Sequence, residues 1–202
     1  MGILNKLRAD TFRLHGRYSF PLMLKAFLST RCFRPILTLR LCQSATQSGM
    51  PGRLALPACK VLHRIATHLA GMDLSWQTEI GGGLAIAHGW CLVINPRVRI
   101  GSNVTLFHGV TLGQRDRIAR DGTRSTGYPV LEDEVWVGPH AIIVGGITIG
   151  RGSRIAGGAF VTEDVPPFSI VSGNPSQIVK SGCVPDVANP APRVKAGAYN
   201  KI

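Results

Sequence analysis

Acidic residues are scarce in this 202-residue chain: eleven Asp and Glu stand against twenty-three Lys and Arg, a formal net charge of +12. Such a surplus suits an anionic partner: nucleic acid, a membrane surface or a phosphorylated cofactor. It is concentrated early, because eleven Lys and Arg precede Ile80 against only Asp10, Asp73 and Glu79. No CxxC pair occurs among Cys32, Cys42, Cys59, Cys91 and Cys183. That argues against a zinc site, and the odd number argues against a disulfide frame; free thiols of a reducing compartment are expected. No apolar run reaches the length of a membrane span. The stretch "YSFPLMLKAFL" is a poor signal peptide, since Lys25 interrupts it and no small-residue cleavage site follows. The expected location is cytoplasmic, with peripheral contact at the inner face of a membrane left open.

What is present is a 45% hydrophobic fraction, enough for a core, together with 24 glycines and 13 prolines, a count that favours many tight turns. Residues 1–72 have a helical period and a basic character. "PACKVLHRIATHLAG" opens on Pro57 and closes on Gly71, with Val61, Leu62, Ile65, Ala66 and Leu69 on one helical face. Pro21 and Pro35 open two earlier helical candidates. These helices read either as a layer packed on the main domain or as a membrane-contacting surface. His15, His63 and His68 read there as solvated or packing residues.

From residue 73 to 180 the period changes to six. Leu131, Val137, Ile143, Ile149, Ile155 and Val161 recur at six-residue intervals. The fifth place of each hexad is small or β-branched: Val135, Ala141, Ile147, Ser153, Ala159 and Val165. Upstream, Ile94, Ile100 and Leu106 lead three further hexads. Each hexad supplies a short strand with its lead aliphatic inward, then a turn. Three hexads close a triangular coil, and stacked coils share one core. Between Leu112 and Leu131 the spacing is nineteen residues where three hexads take eighteen. Residues 113–130, "GQRDRIARDGTRSTGYPV", therefore leave the prism as an excursion, the kind of long loop that carries function. Residues 181–202 read as a C-terminal tail.

The hexads, with "DLSWQTEIGGGLAIAHGWCLVI", "GVTLG" and "SGNPSQIV" around them, resemble the hexapeptide acyltransferases and, within them, the serine O-acetyltransferase branch with its sugar-acetylating relatives. The resemblance implies a mainly β, left-handed parallel β-helix with a short N-terminal α-helical region, assembled as a homotrimer. It also implies acetyl-CoA as co-substrate, with no metal expected. His88 matches the family's general base, and Asp73, fifteen residues upstream, matches the aspartate that pairs with it. A hydroxyl is a poor nucleophile near neutral pH, and an imidazole oriented by a carboxylate removes its proton in the transition state. Cofactor-binding positions carried over are Gly113, Gly138, Gly157, Gly158, Asn174 and Lys180. His108 is read as an acceptor or cofactor contact, a surface histidine, or a rival base. Tyr128 and Trp90 offer apolar faces on the acceptor side. His88, His108 and His140 occupy different places in their hexads, which speaks against a three-histidine zinc site. No nucleic-acid motif is present.

The acceptor is read from departures. In true serine acetyltransferases an aspartate precedes the base and an Arg-His pair closes the excursion; here Ala87, Gly127 and Tyr128 stand there. Without that carboxylate the ammonium of free serine loses a partner. The expected acceptor is therefore a carbohydrate, of a surface polysaccharide or its precursor, with serine O-acetylation as the alternative.

Overall fold

A computed structural model describes residues 2–192; the last ten residues of the expected tail lie outside the described residues. Four helices precede the strands: α1 (Ile3–His15), α2 (Phe20–Ser29), α3 (Phe33–Gln47) and α4 (Gly49–Ala70). The strands then form a β-solenoid of about five turns. One face stacks Met72–Leu74, Leu92–Ile94, Thr111–Gly113, Ile142–Val144 and Phe160–Val161 in parallel. A second stacks Glu79–Ile80, Arg99–Ile100, Val130–Leu131 and Thr148–Ile149. The third runs from Ala85–Ala87 through Thr105–Phe107, Trp136–Val137 and Arg154–Ile155 to Ile170–Ser172, where the antiparallel strand Gln177–Lys180 closes it.

The six-residue period produces this core directly. Leu74, Ile94, Leu112, Ile143 and Val161 stand in register on one face, and Ile80, Ile100, Leu131 and Ile149 on the next. Every expected lead aliphatic and every fifth-place residue is buried. Each coil alone leaves its aliphatic face open, so burial comes only with stacking. The coils differ in length, however. The first is twenty residues long (Met72 pairs with Leu92, Ile80 with Ile100), and eighteen holds from Val93 to Thr111 and again after the excursion, where Val130 pairs with Thr148, Trp136 with Arg154 and Ile142 with Phe160.

The expected excursion 113–130 begins and ends within the prism, since Gly113 and Val130 belong to its strands; between them the chain leaves as an ordered hairpin in which Arg115–Ile118 pairs antiparallel with Arg124–Gly127. Asp116 ties the two strands by accepting from Thr126 Oγ1 and Arg124, each at 2.7 Å. The Thr126 hydroxyl first, and the Arg124 guanidinium after it, hold the Asp116 carboxyl below its ordinary range.

The helical layer differs from its expectation in two respects. Pro57 lies inside α4, which begins eight residues earlier and continues through it. The face of α4 turned toward its neighbours carries Gly52, His63, Ala66, Thr67 and Ala70. Of the five apolar residues expected on one face, only Ala66 is buried, and Val61, Leu62, Ile65 and Leu69 are all at least half exposed. Leu54, two turns earlier on the same side, is 78% exposed. The helix therefore has two apolar faces, and the smaller-residue face packs because it lets α4 approach α3 closely.

Polar groups fix the layer to the prism. Asp10 and Arg40 form an ion pair at 2.9 Å with both side chains almost fully buried. Asp10 also accepts from the backbone N–H groups of Gly83 and Leu84, and Arg40 donates to the carbonyls of Ile80 and Gly81. Arg13 donates to the Gly83 carbonyl and to Thr105 Oγ1, and Lys6 to the Ile80 carbonyl. His63 bridges Thr38 Oγ1 (2.9 Å) and the Leu74 carbonyl (2.7 Å); burial lowers its pKa, and the Leu74 bond opposes that in part.

Candidate active site

His88 occupies the turn between strands Ala85–Ala87 and Leu92–Ile94, where the chain passes from the third face to the first. The turn is unusual for its composition. His88, Gly89 and Cys91 all have positive φ, at 64°, 56° and 56°, a region that non-glycine residues rarely occupy. The turn is held by Cys91 N–H donating to the Gly71 carbonyl and Trp90 N–H to the His88 carbonyl, each at 2.8 Å. The His88 side chain is exposed.

The twenty-residue first coil brings His108 next to His88, with ring centroids 6.0 Å apart, and His140 follows at 5.0 Å from His108. The three histidines therefore form a column on successive coils. Hexad position sets the three apart because the coils are not uniform, although the twenty-residue separation of His88 and His108 by itself allows those two to be neighbours. The rings meet edge to face, and no group of three or more His, Cys, Asp or Glu among the described residues is arranged to hold a metal ion. Phe107 lies 6.5 Å from His88 and 4.9 Å from Trp136, adding an apolar wall. His108 Nδ1 is buried without a hydrogen-bond partner among the described residues, a polar atom left free in a half-buried side chain.

Asp73 is exposed on the outward side of Met72–Leu74, in register with Val93. Asp73 and the His88 turn both belong to the first coil, and no hydrogen bond or ion pair joins them among the described residues. Asp73 lines a cleft of about 330 Å³ with Lys60, His63, Arg64, Thr67 and Trp76.

The other candidates are spread along the solenoid. Gly138 and Gly157 sit on adjacent coils in backbone contact, for a Cβ on Gly138 would lie 2.7 Å from Gly157 N; close stacking alone accounts for both. Gly158 faces open space, Gly113 ends its strand, Asn174 precedes Pro175, and Lys180 is exposed at the end of the closing strand. Tyr128 is engaged by Arg97, which donates to its hydroxyl at 3.3 Å and lies over its ring. Trp90 is covered by Arg31, 3.8 Å from the ring centre.

A cleft under the hairpin was not foreseen. About 230 Å³ in volume, it is lined by Arg115, Arg117, Ser125, Thr126, Gly127 and the Gly145–Gly146 pair. Alternation along the hairpin strand places Arg115 and Arg117 on one side, a signal present in "RDR" once the segment is known to be a strand. Gly127 fits here because any Cβ would lie 2.2 Å from Gly146 N.

Fold and repeat together define a hexapeptide-repeat β-solenoid. The family described as bacterial transferase hexapeptide (six repeats) matches residues 128–163. The chain is 37% identical over 120 residues to the serine acetyltransferase of Bacillus licheniformis, an alignment covering 59% of this chain and 53% of that one. It superposes on the Brucella abortus serine acetyltransferase in complex with coenzyme A with a TM-score of 0.70 at 27% identity, covering 90% of this chain and 69% of that one. The serine-bound serine acetyltransferase of Neisseria gonorrhoeae gives a TM-score of 0.67 at 27% identity, covering 88% and 69%. The chain spans about half the length of the curated relatives it matches.

These relatives overturn the expected carbohydrate acceptor and its polysaccharide context: all three are serine acetyltransferases. One missing carboxylate at position 87 was a poor guide, because a binding site draws its charged groups from several elements at once; Asp73 is such a carboxylate, exposed at the start of the first coil.

Proposed function

We propose that this protein is an acetyl-CoA-dependent O-acetyltransferase acting on the side-chain hydroxyl of free serine. The observation that carries this reading is His88, an exposed histidine in a strained turn of a solenoid similar to serine acetyltransferases. A nitrogen of the His88 imidazole takes the hydroxyl proton as the oxygen bonds to the thioester carbonyl carbon. The carbon–sulfur bond then breaks, and the proton passes from the imidazolium to the departing thiolate. Asp73 supplies the carboxylate that stabilises the imidazolium. His108 offers its free Nδ1 to the acceptor beside the base, with Trp90 and Tyr128 on the acceptor side. The phosphates of acetyl-CoA suit the guanidinium groups of Arg115 and Arg117 and the glycine backbone beside them. Gly113, Gly138, Gly157, Gly158, Asn174 and Lys180 extend that path along the coils.

The test is release of free thiol from acetyl-CoA with serine as acceptor. His88→Ala is expected to lower kcat by about a hundredfold or more while acetyl-CoA still binds. Near-normal kcat in that variant makes His88 a structural histidine and ends the reading.

Two partner assignments accompany it. A homotrimer is supported by Val93, Ile142 and Phe160, a row of partly exposed apolar side chains on the first face that a second copy would cover; a monomeric mass in light scattering refutes it. An anionic membrane surface suits the uncovered face of α4, which carries Arg53, Lys60 and Arg64 and no acidic residue. Another copy would bring the same charge, so lipid is the better fit. Flotation with phosphatidylglycerol vesicles but not phosphatidylcholine ones is expected, and lost in Leu62→Ser/Ile65→Ser; equal recovery with both lipids refutes it.

A further inference from the structure

We infer that Arg31, a residue of the helical layer, is a positioning residue that fixes the turn carrying His88. The inference rests on the reading of His88 as the base. Arg31 lies in the connection between α2 and α3, and its guanidinium donates to two backbone carbonyls, those of Ala70 and His88. Its plane covers the Trp90 ring at 3.8 Å. Trp90 in turn packs over Gly71, where any Cβ would come within 2.4 Å of the ring. One side chain therefore ties the end of α4, the carbonyl of His88 and the indole two residues later.

The underside of the turn is closed by the same connection. A Cβ at Gly89 would meet Cys32 Sγ at 2.8 Å and the Met72 side chain at the same distance. The turn is thus seated between Cys32 below and Arg31 above, two neighbouring residues of the helical layer. Such seating has a chemical purpose. With φ at +64°, His88 holds a backbone conformation that a histidine does not choose by itself. Persistence of that conformation requires surroundings that over-determine it. A charge-assisted donor on the His88 carbonyl does so and sets the direction of the Cα–Cβ bond. That direction keeps the imidazole beside Phe107 and His108. Lysine at 31 brings a compact ammonium with three donors, but neither the planar fork nor the flat stacking surface.

The experiment compares Arg31→Ala and Arg31→Lys with the wild type, using serine and acetyl-CoA as substrates. Thermal melts verify folding. Because misplacement of a catalytic group affects the chemical step, kcat is expected to fall about ten- to a hundredfold in Arg31→Ala. KM for acetyl-CoA should stay within about twofold, and Arg31→Lys should fall between. A second readout needs no turnover: the His88 ring resonances, assigned by their loss in His88→Ala, should shift or broaden in Arg31→Ala. A folded Arg31→Ala with unchanged kcat and unchanged His88 resonances overturns the inference. If Arg31→Ala does not fold, Arg31→Lys carries the same comparison, with unchanged kcat and resonances again decisive. A wild type that releases no thiol with serine removes the functional reading, and the ring resonances alone then decide whether Arg31 holds the turn.

Discussion

The solenoid and the helical layer are built on opposite principles. Within the prism the buried side chains are almost all aliphatic, repeated coil after coil; of the few polar ones Asn103, Ser153 and Ser169 bond to backbone, while the Thr78 hydroxyl has no hydrogen-bond partner among the described residues. The layer instead buries Asp10, Arg13, Arg40 and His63 and spends them on carbonyls and amides of the first coil. Apolar stacking is non-directional and propagates by repetition, whereas hydrogen-bonded ions allow one orientation only. The difference explains why the layer can hold one turn of the prism in place: it is docked by directional contacts beside the turn that carries His88.

The comparison breaks most severely at Ile149. Ile149→Asp puts a charge into the shared core of stacked coils, and no soluble folded protein is expected on expression. A folded variant with native circular dichroism would mean that the ladder is not the core. Asp10→Ala is expected to be the next largest effect. It strands the Arg40 guanidinium in a buried site, at a cost of about 3–5 kcal/mol. The helical signal should melt well before the sheet signal, and a single transition at the wild-type Tm would show that the ion pair does not dock the layer.

Lys180→Glu reverses an exposed charge at the closing strand and tests the solenoid's ligand path without touching its core. Affinity for acetyl-CoA should drop severalfold, read by calorimetry, with Tm unchanged. The smallest expected effect concerns His63. Burial lowers its pKa below the ordinary 6.5, so the unfolded chain binds the proton more readily. The stability contributed by neutral His63 is complete above about pH 6.5 and is lost as pH falls through the folded value. Tm should therefore fall between pH 7.5 and pH 5 by more in the wild type than in His63→Gln. Equal falls would exclude His63 as the acid-sensitive contact.

Some of this was legible in the chain itself. Six-residue spacing of aliphatics dictates stacked short strands, because that period and those residues can be buried in no other regular way, and it located the excursion where the count failed. His88 and Asp73 were singled out by their resemblance to the family's histidine–aspartate pair, and their roles belong to the proposed function. Tertiary structure alone decided the rest. The longer second coil set His140 against His108, which counting hexads concealed. Pairing within residues 113–130 made a cleft of Arg115 and Arg117. On α4 both faces are apolar, so periodicity could not say which is covered; the small residues pack because helices must approach closely to bury them. Arg31 reaches the His88 carbonyl across 57 positions of sequence, a contact between two backbone conformations that neither segment encodes separately.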